Sequence, residues 1–560
     1  MKRLATLTVS YSLFFAAAFG EDISVDASNL TSGVNYLGGN PDTPSLNYIV
    51  DGKTSEGAQT ALQRIYAGTG AFTEGPYSFG DVSVSVGNVK VTDRLSLFKV
   101  EGGASAQVGK VVYNVDNTVN TSTFYLGGQV WDTGTSYTVE SIDATFNGKN
   151  TNHATSGVMT GGQSSIVNIT NGITFNMTDA NASVRWMYAG GYNQNSSQTT
   201  IKNGVHANIS AGSISSTFMG GVYNFNGASS RIEGGTHINV TGGSHGDIFG
   251  GDQLDKGSSS FIDSTEVSIE GGSVNFVFGG TSLHTESGSS SQIGTESSLA
   301  AAVKINVGEN AQVKTVIGGS YNSGGDNTAV VNGNVEIAVE GKVSDTVVGG
   351  GYGEGVKTNG NVFMDIRKNA QVGDVLGGGT NGSSLKGDIT IRVSDNANVS
   401  GTIYGAGEGS LVDGSAKLLI DSFKGSALKA DSFDSVKISS DSIVEISLAN
   451  VSTLSVENGA KVVLASGSAF EKLLVSFDDE IFDLGGTVDI SEIFGDSTSV
   501  VMSEIESGSS FVVLDAKQNL FTVGLNGSTL SITSEIPEPS TYAAILGAIA
   551  LVFAAYRRRK

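Results

Sequence analysis

The sequence predicts an all-β chain: a right-handed parallel β-helix, a solenoid with about 30 residues to each turn, followed by a short C-terminal hydrophobic helix. Three observations predict it. A Gly-Gly corner, preceded by two mostly apolar residues, recurs through the middle of the chain. The segments between corners alternate apolar and polar residues with period two. No Pro occurs between residues 77 and 536. Period-two alternation of β-branched residues marks strands. Gly supplies the bends that short strands need. A parallel ladder has no place for a residue without an N–H.

The corners read Tyr125-Leu126-Gly127-Gly128, Met159-Thr160-Gly161-Gly162, Tyr188-Ala189-Gly190-Gly191, Phe218-Met219-Gly220-Gly221 and Ile248-Phe249-Gly250-Gly251. They continue as Val277-Phe278-Gly279-Gly280, Val316-Ile317-Gly318-Gly319, Val347-Val348-Gly349-Gly350 and Val375-Leu376-Gly377-Gly378, with a degenerate Ile403-Tyr404-Gly405-Ala406. The first glycines step by 34, 29, 30, 30, 29, 39, 31, 28 and 28 residues. Between corners come an alternating strand, a small polar turn, a second strand running into the corner, and a polar loop. Val303-Lys304-Ile305-Asn306-Val307 followed by Gly308-Glu309-Asn310 shows the first two parts. One such unit cannot bury its apolar side alone, whereas stacked copies can. A β-propeller blade needs about 40–50 residues, so the observed step is too short for one.

The remaining elements follow in chain order. Residues 1–20 carry Lys2 and Arg3, an apolar stretch, then small residues at Ala18 and Gly20 before Glu21-Asp22, the pattern of a secretory signal peptide. Residues 21–110 hold Leu37-Gly38-Gly39 and three of the five Pro, and read as an N-terminal cap with the first irregular coils. Residues 111–410 are the regular Gly-Gly β-helix. From 411 to 535 the corners fade while alternation persists, as in Ser442-Ile443-Val444-Glu445-Ile446-Ser447-Leu448, and less regular coils with a C-terminal cap are expected. Residues 536–560 are a tail: Pro537-Glu538-Pro539, an apolar run from Tyr542 to Tyr556, and a basic end, Arg557-Arg558-Arg559-Lys560. The run is short against the roughly 20 residues of a membrane span, and its basic end suits the cytoplasmic side.

This tail resembles the PEP-CTERM sorting signal, a Pro-Glu-Pro followed by a hydrophobic helix and a terminal basic cluster. The resemblance covers residues 536–560 only. It implies export, transient anchoring in the membrane through the C-terminal helix, and processing near Pro537, Glu538 and Pro539 by an exosortase, a membrane-embedded cysteine peptidase that passes its substrates toward the cell surface. Carriers of such tails often occur in bacteria that make exopolysaccharide or biofilm. The repeats resemble the passenger β-helices of autotransporter adhesins and pectate-lyase-like proteins in architecture. The chain departs from autotransporters in having only the short basic-ended tail after the repeats.

Composition removes several functions. With no Cys among 560 residues, disulfides, thiol nucleophiles and Cys-based metal sites are excluded. A net charge of −23 argues against nucleic acid, whose phosphates call for Lys and Arg. Gly242-Gly243-Ser244-His245-Gly246 matches a hydrolase elbow, but that elbow needs a helix after the Ser, and strand-like sequence follows. Gly377-Gly378-Gly379-Thr380-Asn381-Gly382 matches a dinucleotide loop and is likewise followed by a strand pattern. Hydrolases on β-helices gather acids on adjacent coils beside a Gly-His-Gly and an Arg-Ile-Lys. Here Ser244-His245-Gly246-Asp247 and Arg231-Ile232-Glu233 come in the wrong order, with the Lys replaced. Asp478-Asp479-Glu480 reads as a solvated turn. The five His show no ligand spacing, so no metal or cofactor is expected.

One pattern points to binding. Tyr follows four corners within two residues, at Tyr192, Tyr223, Tyr321 and Tyr352, and three continue as Asn193, Asn224 and Asn322. Equivalent positions of a solenoid share one lateral face. A line of Tyr and Asn there is either a ligand face for sugar rings or a protein partner, or a stacked ladder that only stabilises loops. The expectation is an exported surface or extracellular-matrix element, structural or adhesin-like and non-catalytic. The alternatives are a polysaccharide lyase or glycoside hydrolase on the same fold, and a glycosylated surface carrier.

Overall fold

The computed structural model describes residues 21–534, except 31, 33, 38–44, 54–58, 67–70, 74, 121–122, 151, 285–287, 296–300, 458–459, 466–467, 478–479, 484–499, 503–509, 515–519 and 527–528. The signal segment, the Gly38-Gly39 corner, Asp478 and Asp479, the Pro-Glu-Pro, the hydrophobic helix and the basic end lie outside the described residues. What is described is a parallel β-solenoid of about 12 turns, with no helix among the described residues. The chain divides into two compact units. The first holds Met1–Met364, Leu376–Asp388 and Gly407–Gly414; the second holds Asp365–Val375, Ile389–Ala406 and Ser415–Lys560.

One turn of the first unit shows the construction. Strands run over Gln198–Ile201, Val205–Ile209, Ser213–Met219 and Val222–Phe225. Each pairs in parallel with its counterpart in the next turn: Ser229–Ile232, Thr236–Val240, Ser244–Phe249 and Gln253–Leu254. The sequence reading had two strands and a polar loop per turn. The loop itself contains two further short strands, one after the corner and one before the next alternating segment. Each is only two to four residues long in these turns, too short for a period to show.

In-register stacking turns sequence alternation into continuous interior columns. One runs Val108, Val139, Ile169, Ile201, Ile232, Ile262, Ile293, Val331. All eight are buried, and each contributes roughly 1.5–3 kcal/mol by leaving water. The corner glycines stack as well. A Cβ on Gly220 would lie 2.7 Å from the carbonyl oxygen of Gly250, and one on Gly250 2.5 Å from that of Gly279. Successive backbones touch there, and only Gly fits.

The alignment corrects one repeat. Gly127 donates its N–H to the Gly157 carbonyl at 3.2 Å, and Gly157 in turn lies against Gly190. Gly157, not Gly161-Gly162, is the corner of that turn. Gly161 instead packs on the Trp131 ring, where a Cβ would come within 2.6 Å.

The second unit also stacks in parallel. Lys417–Ile420 pairs with Ser435–Ile438, which pairs with Thr453–Val456. The step is now 18 residues. A turn this short has no room for a corner followed by an extra strand, and the 18-residue turns over residues 417–456 carry no double glycine. Beyond it, Ser468–Phe477 pairs antiparallel with Glu480–Asp483, and Ser510–Leu514, Leu520–Asn526 and Thr529–Ser534 form an antiparallel meander.

Candidate functional site

Side chains of a strand alternate between its two faces. Two neighbours are therefore both buried only where both faces are covered. Six turns of the first unit show this just before the corner: Met187-Tyr188, Phe218-Met219, Ile248-Phe249, Val277-Phe278, Val316-Ile317 and Val347-Val348. The first of each pair is wholly buried inside the solenoid. The second points outward, yet is only 1–6% exposed. Outside the interior, Tyr188, Met219, Phe249, Phe278, Ile317 and Val348 form the buried floor of a lateral groove that side chains fill, with Trp186, Tyr192, Tyr223, Phe276, Tyr321, Tyr352 and Leu376 packed against them. The floor residues stack in register from turn to turn.

The residues two places earlier form one wall: Trp186, Thr217, Asp247, Phe276 and Thr315. The residues after the corner form the other: Tyr192, Tyr223, Gln253, Ser282, Tyr321 and Tyr352. Ring centroids lie 4.9 Å apart for Tyr192 and Tyr223, 5.2 Å for Tyr188 and Tyr223, 5.5 Å for Phe278 and Tyr321, and 5.1 Å for Tyr321 and Tyr352. Two tyrosine pairs thus flank a polar stretch at Gln253 and Ser282.

The expected Tyr and Asn face separates into two. The four tyrosines are half-buried on the groove wall as two pairs, Tyr321 and Tyr352 stacked at 27° and Tyr192 and Tyr223 tilted at 53°. The asparagines point the other way, as strand alternation requires. Asn193 and Asn224 are wholly buried and Asn322 is 3% exposed, so none of the three presents a surface to a ligand. They satisfy the interior instead. Asn193 Nδ2 donates to Asn224 Oδ1 at 2.9 Å, Asn224 Nδ2 donates to Ser230 Oγ at 2.6 Å, and Asn322 Nδ2 donates to the Glu354 carbonyl at 2.6 Å. Asp252 joins this seam, accepting from the Val222 N–H at 2.6 Å and from Ser230 Oγ at 2.5 Å. Burial pushes its carboxyl up to about 6 despite those bonds.

Comparison with known proteins finds no matching family, no matching curated relative and no matching solved structure. Ser244 opens the strand Ser244–Phe249, with no helix after it to make a nucleophile elbow. His245 is 5% exposed, and its Nε2 sits 2.9 Å from the Gly242 carbonyl, so it is a packed strand residue. Gly377–Gly382 leads into the strand Ser384–Leu385. Among the described residues no group of three or more His, Asp or Glu could hold a metal ion.

An acid and an imidazole join the tyrosines along the groove. Asp247 stands on the wall opposite the tyrosines, and burial raises its carboxyl above the usual range. His153 precedes Trp186 on the same wall. Burial lowers its imidazole to about 4, which leaves it neutral at physiological pH. The floor residues escaped the sequence reading of the site. Their signal was present: two adjacent apolar residues before each corner break the period-two rule, and a core strand of a two-faced sheet explains only the first of them.

Proposed function

We propose that the protein is an exported, surface or extracellular-matrix β-solenoid, adhesin-like and non-catalytic, that holds an extended glycan along the groove at its Gly-Gly corner. The carrying observation is the floor of six outward apolar side chains bordered by Tyr192, Tyr223, Tyr321 and Tyr352. Successive turns lie about 4.8 Å apart, close to the advance of an extended hexopyranose chain per sugar. A sugar ring can then lie against the half-buried rings of Tyr192, Tyr223, Tyr321 or Tyr352 on successive turns, each adding a polar edge. The N-terminal signal pattern and the tail from Pro537 to Lys560 support delivery to the surface, with an exosortase-type peptidase as processing partner and the membrane as a transient anchor.

A polysaccharide-degrading reading has one observation in its favour, the half-buried Asp247 with its raised carboxyl on the groove wall. Paired-carboxylate chemistry needs a second acid across the substrate. One experiment separates the readings: a glycan array with the purified chain, run beside a reducing-end assay on every polysaccharide retained. Retention without new reducing ends, weakened in Tyr223→Ala and Tyr352→Ala, is expected. Absence of retention sinks the adhesive reading, and new reducing ends that vanish in Asp247→Asn replace it with the enzymatic one.

A further inference from the structure

Resting on that reading of the groove, we propose that the end of the groove nearer the N-terminus is a built subsite for one uncharged sugar, held by Gln129, Thr155 and His153. The three groove columns continue in that direction. Lys99, Gln129, Met159 and Tyr192 are in register on one wall. Tyr125, Thr155 and Tyr188 are in register along the floor. Thr123, His153 and Trp186 are in register on the other wall.

Gln129 faces the groove, because its neighbour Val130 is wholly buried in the interior column with Val100. Yet Gln129 is 1% exposed, and neither its Nε2 nor its Oε1 has a hydrogen-bond partner. Thr155 is wholly buried, and its Oγ1 is likewise unpartnered. A buried polar group left unsatisfied costs about 1–3 kcal/mol, and nearly all such groups in folded proteins are paired. Gln129 follows Tyr125, and Thr155 pairs with Tyr125 from the next turn, so the three unmet atoms belong to adjoining turns of one stretch of groove, where a ligand would supply the partners. The surroundings are aromatic: the His153 ring lies 5.9 Å from that of Tyr125, 6.5 Å from Tyr188 and 5.6 Å from Tyr192. Tyr125 Oη is 3.4 Å from His153 Nε2.

The chemistry selects the ligand. An amide, a hydroxyl and a neutral imidazole each offer a donor and an acceptor, which matches sugar hydroxyls. The rings match the apolar C–H face of a pyranose. The cations nearby are already engaged: Arg94 lies over the Trp131 ring at 5.0 Å and 3.5 Å from Asp93, and Lys99 is paired with Glu101. A neutral hexose fits this site better than a uronic acid, whose carboxylate would call for an uncommitted cation. Gln129 is flanked in its column by Lys99 and by Met159, an unbranched side chain that adapts to what it packs against.

The test is calorimetric titration of the full chain with glucose, mannose and galactose oligosaccharides, against oligogalacturonate, for the parent, Gln129→Leu and Tyr223→Ala. The expected result is preference for a neutral oligosaccharide, about tenfold weaker in Gln129→Leu. The melting temperature of that variant should be unchanged or higher, since the unmet amide is gone. Thr155→Val, which keeps the shape, should weaken binding in the same direction and serves if the Leu variant does not fold. Unchanged affinity in Gln129→Leu and Thr155→Val, with Tyr223→Ala still weakened, overturns the subsite and leaves the groove reading standing. Tighter binding of oligogalacturonate also overturns the subsite. No heat from any oligosaccharide overturns both the subsite and the glycan reading of the groove.

Discussion

The rings of Phe249 and Phe278 stack 4.3 Å apart and 2° from parallel on the outer side of their strands, not in the interior. Each is 5% exposed, so an outward position here is nearly as dry as the core. Phe249→Ala should therefore behave as a core truncation. It should destabilise by about 3 kcal/mol, read by urea unfolding, with the far-UV spectrum unchanged. A loss near zero would mean that the groove floor is wet and that the corner does not fold the outer face inward.

The corner itself makes a sharper prediction. At Gly250 a methyl group would meet the Gly279 carbonyl oxygen at 2.5 Å, and backbone cannot move aside without breaking the ladder. Gly250→Ala should cost at least about 3 kcal/mol or prevent folding. Gly257 has a left-handed φ of 71°, but nothing lies within 4 Å of its added Cβ. Gly257→Ala should cost only about 1–2 kcal/mol, from strain alone. Equal losses at the two sites, measured by thermal melts, would show that conformation rather than close stacking explains the double glycines.

Much of this architecture was legible because a solenoid writes its geometry into sequence as a period. Ile201, Ile232 and Ile262 recur at equivalent places because they stack in register. Gly220 and Gly250 recur because their backbones touch. What stayed illegible was local. Gly161-Gly162 looks like a corner in sequence, but the single Gly157 makes the contact, and a dipeptide match cannot reveal which glycine meets a neighbouring turn. The direction of Asn193 and Asn224 was hidden because the strand that carries each is only four residues long, so no alternation could be counted. The tyrosines beside them recur at equivalent places in the sequence, but the floor they border depends on a bend that no residue spells out.

The asparagine seam is open to a double-mutant cycle. Asn224 Oδ1 accepts from Asn193 Nδ2, so Asn224→Leu removes one bond of a buried amide in the previous turn, which keeps those to the Ser229 carbonyl and Thr199 Oγ1. The neighbours of Asn224 in the next turns are Leu254 and Leu283, so a Leu fits the column in shape. Each single Leu variant should lose about 1–3 kcal/mol. The double variant, with both mutual partners removed, should lose less than the sum by about 1 kcal/mol or more. Strict additivity in denaturant titrations would mean that the two amides do not depend on each other.

Asp252 gives the solenoid an inverted acid response at one point. Its carboxyl is wholly buried, and burial raises it from the ordinary value of 3.8 to about 6. Between those values the folded chain holds a proton that the unfolded chain has released. The stabilisation is thus fully present below about pH 4 and is lost as the pH rises through about 6. Its size is on the order of 2–3 kcal/mol. Asn at this position carries no charge at any pH, and the Ser230 hydroxyl that now donates to the carboxylate can turn to suit it. The stability difference between Asp252→Asn and the parent should therefore shift in favour of the variant across pH 4 to 6, then level off. Exposed carboxylates titrate equally in both chains and cancel in that difference. A difference that is flat with pH would place Asp252 in contact with water rather than inside the seam formed with Asn224 and Ser230.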